Sequence, residues 1–403
     1  MFFRLILFFL FISPHLLFAQ TEKEPPLITI TPQAYTKTVV RVPNFEGDTK
    51  GEVSSLLRNL LNLHLFCVAL EEPPLPGFKA KEYYVKGKIE AKGGRLIFTG
   101  DLIDTLENRA LRNYKVEASS QERLTYALAD QIIRDISPYQ GLSATKIAFV
   151  KREATGDHLY VMDFSKKNLR RIKSANLILF PKFSPSGKKL AFLIYDGKDY
   201  YLEITSYPYT EGKRYKISGL SSAPLWMPNE RELLLTLGKE GEINIYLFDP
   251  EKEELKALTS GRGVHQAGSV SPDGKWVAFV GDRTGKPQIY LLNLENKKIQ
   301  RVSFEGNYHT SPRFSPKGPL LLYLAQRGGK NELILYHLQR GEKRKLSLPL
   351  SINDPAFSPS GEYLIFASKG RSGAGLYLLH LDSLIFHPYL PFSQLYYPDW
   401  GKM

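Results

Sequence analysis

The sequence predicts a small α/β domain followed by an all-β six-bladed β-propeller. Three observations support this prediction. A short phrase built from Pro, an aromatic residue, Ser-Pro and Gly recurs every 43 or 44 residues in the C-terminal part of the chain. Incomplete units with complementary strands stand at the two ends of that repeat region. The preceding residues instead contain two segments of helical periodicity among alternating strand patterns, which indicates a separate α/β unit.

The repeated phrase carries most of the architectural information. Its complete copies occupy residues 181–187, 312–318 and 355–361, and weaker copies occupy residues 224–228, 270–274 and 398–400. Its second Pro falls at positions 185, 228, 272, 316 and 359, which gives steps of 43, 44, 44 and 43 residues. Spacing of this size is typical of propeller blades. Ser-Pro-x-Gly suits the turn between two strands, because Pro presets φ and Gly adopts a conformation that other residues resist.

The two ends of the repeat region determine the number of blades. Residues 146–150, 158–162 and 169–172 have the pattern of the last three strands of a blade, and residues 395–400 supply the missing first strand. Five complete units and one split unit make six. A split blade joins the ends of the ring and removes open sheet edges, so we expect the C-terminal strand to be essential. A β-sandwich or solenoid is the alternative, and the equal steps argue against it.

The N-terminal region predicts one strand, a helix, three strands and a second helix. The first helix begins at about Glu52 with a capping box from Thr49, and the second begins at about Glu122 with a capping box from Ser119. The predicted strands cover residues 38–42, 83–90, 95–102 and 111–117, and the second helix ends at about residue 136. Residues 137–141 are the predicted linker. We therefore predict an α/β domain over residues 20–140 and the propeller over residues 141–403.

The first 19 residues have the features of a cleaved secretory signal peptide. Arg4 precedes a short apolar run, and Ala19 is a small residue before the predicted cut at Gln20. A transmembrane anchor or a buried helix is the alternative. Pro14 and His15 interrupt the apolar run, which is shorter than the roughly 20 residues that a spanning helix needs. We therefore expect export to the periplasm.

Composition limits the classes of partner. The net charge of +13 is compatible with nucleic acid, lipid headgroups or an acidic protein. Export makes nucleic acid the least favoured of these, and the basic residues are scattered along the chain instead of forming one tail. Cys67 is the only cysteine, which excludes an intramolecular disulfide, and its apolar surroundings predict a buried, inert thiol.

The sequence contains no persuasive catalytic pattern. It has no Gly-x-Ser-x-Gly elbow, and its eight histidines include no His-x-x-x-His pair. Gly328-Gly329-Lys330 lacks the spacing of a phosphate-binding loop. We therefore expect no enzyme activity, no catalytic residues, no cofactor and no metal.

A propeller without catalytic groups is commonly a rigid platform whose loops bind partners. Residues just before the inner strands should form the rim of the channel, and for each of them an ordinary solvated loop residue is the alternative. His265 and His309 lie 44 residues apart, so the rim could carry a quasi-symmetric polar ring. The candidate partner-binding residues are Ser222, His265, Gln266, His309, Thr310, Asn353, Asp354 and Tyr397.

These features together resemble the TolB family, the periplasmic propeller components of the Tol-Pal system. The resemblance rests on the Phe-Ser-Pro-x-Gly phrases and on the junction, where residues 127–132 (Ala-Leu-Ala-Asp-Gln-Ile) precede Gly141 and the strand 146–150. Residues 83–87 and 101–104 also match the N-terminal domain of the family in character. The chain departs from the family pattern at Tyr126-Ala127, where Ala-His is usual, at Gly268 in place of Pro, and in its second blade, which lacks Ser-Pro-x-Gly.

The resemblance implies a non-enzymatic scaffold that acts in outer-membrane integrity and in constriction at cell division. The channel face would bind a Pal-like peptidoglycan-associated lipoprotein, and the mature N-terminus, residues 20–31, would bind a TolA-like envelope protein. The protein would be a monomer, associate with the outer membrane through its partners and bind no nucleic acid. The implied residues of the N-terminal segment are Thr21, Glu22, Leu27, Ile28 and Ile30.

A glycan-binding or glycan-processing propeller is the alternative function. Trp226, Trp276, Trp400 and many Tyr side chains could stack on sugars. The three Trp residues recur at blade-core positions, so packing explains them more simply.

Overall fold

The structure is a computed structural model that describes residues 27–30, 36–74, 82–219, 222–239, 241–261, 263–370, 373–391 and 394–402. The predicted signal segment, residues 1–19, lies outside the described residues. In the part of the chain that is described, no helix is both long and apolar enough to span a bilayer.

The N-terminal part is a mixed five-stranded sheet with two helices. Its sheet has the order β3-β2-β4-β5-β6, with β2 parallel to β3 and β4 and the last three strands antiparallel. β3 was not predicted, and it begins at the buried Cys67. The elements in chain order are β1 (Leu27–Ile30), β2 (Thr38–Arg41), α1 (Glu52–Leu63), β3 (Cys67–Leu70), β4 (Glu82–Lys92), β5 (Arg95–Asp104), β6 (Arg109–Ala118) and α2 (Gln121–Ile136).

Both predicted capping boxes are wrong, because the N-cap of each helix lies one or two residues after the predicted residue. The N-cap of α1 is Gly51, with φ 66°, and the Asp48 carboxylate accepts hydrogen bonds from the Val53 and Ser54 amides at 3.4 and 2.8 Å. The N-cap of α2 is Ser120, whose hydroxyl accepts from the Arg123 amide at 3.3 Å. In α1 the backbone turns between residue 48 and the helix, so a side chain that lies outside the usual cap position satisfies the free amides.

The propeller consists of six four-stranded antiparallel blades, as the repeat predicts. Blades 1 to 5 follow one another along the chain, and blade 6 combines three strands from the start of the propeller with the C-terminal strand. The strands are β7 (Lys146–Glu153), β8 (Gly156–Asp163) and β9 (Arg170–Ala175) of blade 6; β10 (Leu177–Phe183), β11 (Lys189–Tyr195), β12 (Tyr200–Ser206) and β13 (Gly212–Lys216) of blade 1; β14 (Leu225–Trp226), β15 (Leu233–Lys239), β16 (Glu242–Asp249) and β17 (Glu254–Ala257) of blade 2; β18 (His265–Val270), β19 (Trp276–Gly281), β20 (Gln288–Asn293) and β21 (Ile299–Arg301) of blade 3; β22 (His309–Phe314), β23 (Leu320–Arg327), β24 (Lys330–His337) and β25 (Lys343–Leu346) of blade 4; β26 (Asn353–Phe357), β27 (Tyr363–Gly370), β28 (Gly373–His380) and β29 (Phe386–Pro391) of blade 5; and β30 (Leu395–Gly401) of blade 6.

The C-terminal strand closes the ring. β30 is the innermost strand of blade 6 and pairs antiparallel with β7, with Leu395 opposite Lys151 and Trp400 opposite Ile147. The Trp400 indole also donates to the Thr145 hydroxyl at 2.8 Å. The predicted split blade is therefore confirmed, and the strand order matches the prediction.

The Ser-Pro-x-Gly phrases form the turns between the first and second strands of blades. In blade 1 the Ser184 amide donates to the Lys189 carbonyl at 2.9 Å and the Gly187 amide donates to the Ser184 carbonyl at 2.8 Å. Gly187 has φ 74°, a left-handed conformation that favours glycine. These turns mark the end of the channel that we call the hairpin face.

Apolar clusters fill each interface between neighbouring blades. Blades 1 and 2, for example, meet through Ala191 and Leu193 on one side and Leu233 and Leu235 on the other. The cluster between blades 5 and 6 differs, because it continues without a break into the core of the N-terminal domain. The N-terminal domain is thus packed on these two blades through buried side chains.

The predicted linker is packed against both parts of the protein. The Tyr139 ring lies 5.0 Å from that of Phe66 in the N-terminal domain and 4.6 Å from that of His380 in blade 5. A Cβ atom on Gly141 would lie 2.2 Å from the Asp130 carboxylate, and that carboxylate accepts from the Ser143 amide at 3.0 Å. The connection after α2 is therefore a contact surface in its own right.

Candidate functional site

The central channel of the propeller is the candidate site. Its wall consists of the six inner strands β10, β14, β18, β22, β26 and β30. We call the end where these strands begin the rim face; it is opposite the hairpin face. The N-terminal domain contacts blade 5 through Tyr363, the first residue of β27 after a Ser-Pro-x-Gly turn. The rim face therefore lies on the side away from this contact.

A repeated β-bulge shapes the inner strands. Pairing with the second strand shifts register in five blades, and blade 2 has only a two-residue inner strand. In four of these bulges a residue with left-handed φ precedes a Pro: Phe180 at 52°, Ser311 at 52°, Asp354 at 49° and Tyr397 at 51°. A bulge redirects the side chains that follow it. Here the residue after the Pro lines the channel.

One residue from each blade therefore forms a ring around the channel axis, which we call the channel ring. Each member stands between the Pro position and the aromatic position of the repeated phrase, except that Gly268 replaces the Pro and Val270 the aromatic residue in blade 3. A Cβ atom on Gly268 would lie 2.4 Å from Pro312. The ring members are Lys182, Leu225, Ser269, Arg313, Ala356 and Asp399.

The channel ring contains two cations and one carboxylate. Lys182 Nζ lies 2.6 Å from Asp399 Oδ1, and the Phe183 amide donates to Asp399 Oδ2 at 2.8 Å. Arg313 belongs to the blade opposite Lys182, and its Nη1 donates to the carbonyls of Gly268 and Pro312. Burial lowers the pKa of both Lys182 and Arg313, with the nearby Asp399 acting in the other direction.

Of the predicted rim residues, His265 and His309 occupy equivalent buried positions. Each ring stands edge-on to an aromatic ring of the next strand, Phe279 at 5.8 Å and Tyr323 at 5.6 Å. Arg283 Nε donates to His265 Nε2 at 3.1 Å, so the His265 proton is on Nδ1, which donates to Asn244 Oδ1 at 2.8 Å. Burial, and then the Arg283 charge, lowers the pKa of His265.

The other predicted rim residues differ in exposure. Ser222 is buried, whereas Gln266 and Thr310 are half-buried on β18 and β22. Asn353 is exposed, and its Oδ1 accepts from Asn331 Nδ2 at 3.1 Å. A partner at the rim face would thus meet Gln266, Thr310 and Asn353. His265 and His309, which precede Gln266 and Thr310 in the chain, are buried.

Asp354 and Tyr397 lie on adjacent inner strands and contact each other. Burial raises the pKa of Asp354, and Arg313, Lys182 and the Tyr397 main chain act in the opposite direction. The Tyr397 ring packs edge-on against Phe180 at 4.5 Å. The adjacent Tyr396 ring lies under the Arg152 guanidinium at 4.8 Å, and Arg152 makes a two-pronged ion pair with Asp157 at 2.8 and 3.0 Å.

The predicted N-terminal segment is only partly described. Thr21 and Glu22 lie outside the described residues. Leu27, Ile28 and Ile30 belong to β1, which pairs in parallel with β25 at the outer edge of blade 4, with Leu27 opposite Lys343 and Ile30 opposite Leu346. The segment thus adds a fifth strand to blade 4, with 316 residues of sequence between the paired positions Leu27 and Lys343.

The sequence prediction missed Lys182, Arg313 and Asp399. The signal was available, because these charged residues occupy the variable position of the repeated phrase in three of its six copies. Two of the three Trp residues that motivated a glycan site are buried and have structural roles: Trp226 and Trp400 are 7% and 6% exposed, and the Trp226 indole donates to the Lys182 carbonyl at 3.0 Å. Within the described ranges, no group of three or more His, Cys, Asp or Glu side chains is arranged to hold a metal ion.

Comparisons with known proteins agree with this architecture. A family model described as the TolB beta propeller domain matches residues 134–403. The Protein TolB homolog of Chlorobium chlorochromatii is 27% identical over 204 residues, which cover 50% of this chain and 46% of that protein. The Tol-Pal system protein TolB of Ruthia magnifica is 29% identical over 204 residues, covering 47% of this chain and 48% of that protein. The matched stretch therefore spans about half the length of these curated relatives.

A solved structure extends the likeness to the N-terminal domain. The crystal structure of TolB from Acinetobacter baumannii superposes with a TM-score of 0.81, covers 92% of this chain and 97% of that chain, and is 21% identical in sequence. At this identity the match concerns the fold. Because the family model covers about two thirds of the chain, including all six blades, this protein belongs to the TolB family.

Proposed function

We propose that this protein is a non-enzymatic component of a periplasmic Tol-Pal system. Membership of the TolB family carries the proposal, together with relatives that bear the name Tol-Pal system protein TolB. The channel ring also supports a scaffold role, because its one carboxylate, Asp399, already accepts hydrogen bonds from Lys182 Nζ and the Phe183 amide. A scaffold of this kind requires no cofactor.

The rim face is the proposed binding surface for a Pal-like lipoprotein. It lies away from the contact with the N-terminal domain, and its polar side chains Gln266, Thr310 and Asn353 stand on rigid strands of three consecutive blades. Strand positions hold their side chains more precisely than mobile loops do, which favours a specific protein partner. Such a partner would link the protein to the outer membrane and to constriction during division.

The N-terminal segment is the proposed binding element for a TolA-like envelope protein. Its residues 27–30 pair with the edge strand β25, which is rich in basic residues. A partner that binds these residues through their main chain must either displace β25 or use the opposite edge of β1. Strand addition at a sheet edge is a common mode of peptide recognition.

A pull-down from detergent-solubilised envelope extract tests the proposal. The mature protein should recover a peptidoglycan-associated lipoprotein, identified by mass spectrometry. Thr310→Arg places a bulky charge on the rim face and should reduce this recovery at least tenfold. Asn296→Arg adds the same charge in an exposed turn near the hairpin face and should leave recovery unchanged.

A second arm tests the N-terminal segment. Deletion of residues 20–30 should abolish recovery of a TolA-like protein while the lipoprotein is still recovered. Absence of both partners from the wild-type eluate, or equal recovery with Thr310→Arg and Asn296→Arg, would count against the assignment of the rim face.

A further inference from the structure

We propose that the channel binds an organic monocarboxylate in the cavity between Lys182 and Arg313. The cavity lies at the hairpin end of the channel, has a volume of about 490 Å³, and is lined by all six members of the channel ring. Cavities of this size are typical of small-molecule sites, which combine apolar walls with a few polar groups. This site is separate from the rim face, where the proposed protein partner binds.

Arg313 supplies the recognition group. Its Nη1 is engaged with the carbonyls of Gly268 and Pro312, which fixes the orientation of the guanidinium plane. Its Nε is buried and has no hydrogen-bond partner among the described residues. The Nε and Nη2 donors form the side-on edge of an arginine, whose geometry matches the two oxygens of a carboxylate. A buried donor without a partner is costly, so a ligand that engages it gains affinity.

The charge balance of the channel favours a single negative charge. Lys182 already has a carboxylate partner in Asp399, at 2.6 Å. Arg313 forms no ion pair within the described part of the chain; burial lowers its pKa, and the Asp399 and Asp354 charges act to raise it without a direct contact. Arg313 is therefore the cation of the channel ring that has no directly paired carboxylate among the described residues. A monoanion balances the charge of Arg313, whereas a dianion would require a second unpaired cation in the cavity.

The remaining walls combine apolar groups with serine residues such as Ser184, Ser271 and Ser358. One residue beyond the channel ring, each inner strand of blades 1, 2, 4, 5 and 6 carries an aromatic residue that lines the same cavity: Phe183, Trp226, Phe314, Phe357 and Trp400. A carboxylate held by Arg313 would therefore have the remaining exposed apolar surface of these residues beside its organic part. This arrangement favours a carboxylate with an apolar body over a free inorganic anion.

Calorimetric titration with 3-phenylpropionate tests the proposal on the full mature protein. We expect saturable 1:1 binding with a Kd on the order of 0.1 mM. The neutral analogue 3-phenylpropanamide should bind at least tenfold more weakly, because it lacks the charge that Arg313 recognises. Acetate should also bind more weakly, because it lacks the apolar body. A titration with sodium chloride at equal ionic strength measures the heat that arises from added salt alone.

Arg313→Lys keeps the charge, removes the planar edge, and should weaken 3-phenylpropionate binding at least tenfold. Arg171→Lys, the same change at an exposed outer-strand position, should leave the Kd unchanged. If Arg313→Lys does not fold, the comparison of carboxylate and amide on the wild-type protein decides the matter by itself. Undetectable 3-phenylpropionate binding, equal affinity for the amide, or tighter binding of inorganic phosphate would each overturn the proposal.

Discussion

The Tyr363 hydroxyl donates a hydrogen bond to the main-chain carbonyl of His64 at 2.7 Å, and this bond joins blade 5 to the loop after α1 across 299 residues of sequence. His64 and Tyr363 are both fully buried, and their rings meet edge-on at 5.9 Å. His380 lies 4.8 Å from the Tyr363 ring, so two histidines flank one tyrosine inside the contact between the N-terminal domain and the propeller. The interface therefore combines apolar packing with buried polar groups, of which His64 Nε2 and His380 Nε2 have no hydrogen-bond partner among the described residues.

The Tyr363→Phe variant removes this hydrogen bond and leaves the ring in place. The His64 carbonyl retains a second donor in the Phe66 amide, so it is not left wholly unsatisfied. We therefore expect the free energy of unfolding to fall by about 1 kcal/mol, the usual net value of one buried hydrogen bond. Urea unfolding followed by tryptophan fluorescence measures the change. Tyr200→Phe, at a 40%-exposed position, is the matched control and should change stability by less than about 0.5 kcal/mol. A loss as small as that of the control would show that the bond contributes nothing.

The two buried histidines predict a loss of stability in acid. Burial lowers the pKa of His64 to about 3 and that of His380 to about 4, from an ordinary value of 6.5. Between pH 6.5 and about 4 the unfolded chain therefore takes up protons that the folded chain does not, so the free energy of unfolding decreases as the pH falls. The slope approaches about 1.4 kcal/mol per pH unit for each histidine.

Urea unfolding at pH 7.5 and pH 5.0 measures this dependence. The change in unfolding free energy between the two pH values should be roughly 2 kcal/mol smaller in His380→Leu than in the wild type, because a leucine cannot be protonated. His387→Leu changes an exposed histidine and should retain the pH dependence of the wild type. Parallel profiles for the wild type and His380→Leu would exclude His380 as a source of acid sensitivity.

The features predicted correctly are those that the sequence repeat encodes, and most features that were missed depend on interactions that occur only once in the structure. Blade number and the Ser-Pro-x-Gly turns were predictable, because the phrase repeats at a period of 43 or 44 residues, and ring closure was predictable from the incomplete blades at the two ends of the repeat region. The capping of α1 by Asp48 was not predictable from the sequence, because it depends on a turn that does not belong to the repeat. The pairing of β1 with β25 joins unrelated segments and leaves no periodic signal. The channel ring was within reach, since its residues occupy one fixed position of the repeated phrase. It was missed because rim positions were inferred from strand starts alone.

The conformation of Gly187 links the first turn of blade 1 to the C-terminal tail. A Cβ atom at this position would lie 2.1 Å from the Lys402 carbonyl, and φ is 74°. Gly187→Ala should therefore lower the free energy of unfolding by about 2 to 4 kcal/mol, from backbone strain and from the clash together. Gly341→Ala is a matched control, because φ is 71° and a Cβ atom would meet nothing within 4 Å. It should cost only the strain, about 1 kcal/mol. Equal costs for the two variants would mean that the tail moves away freely.

Deletion of residues 395–403 removes the strand that closes the propeller. It takes away every main-chain hydrogen bond between β30 and β7, the ion pair of Asp399 with Lys182, and the bond from Trp400 to Thr145. The loss leaves blade 6 with an unpaired inner edge, and such edges promote aggregation.

We therefore expect the truncated protein to lose cooperative unfolding, to be digested rapidly by trypsin at 25 °C, and to elute partly as aggregate in size-exclusion chromatography. A synthetic peptide of residues 394–403, added in excess during refolding, should restore protection from trypsin, because the missing strand has a preformed edge on β7 to pair with. A peptide with the same composition in scrambled order is the control. A truncated protein that unfolds cooperatively without the peptide would mean that the ring is held together by the interfaces between blades alone, and that β30 serves the channel rather than the fold.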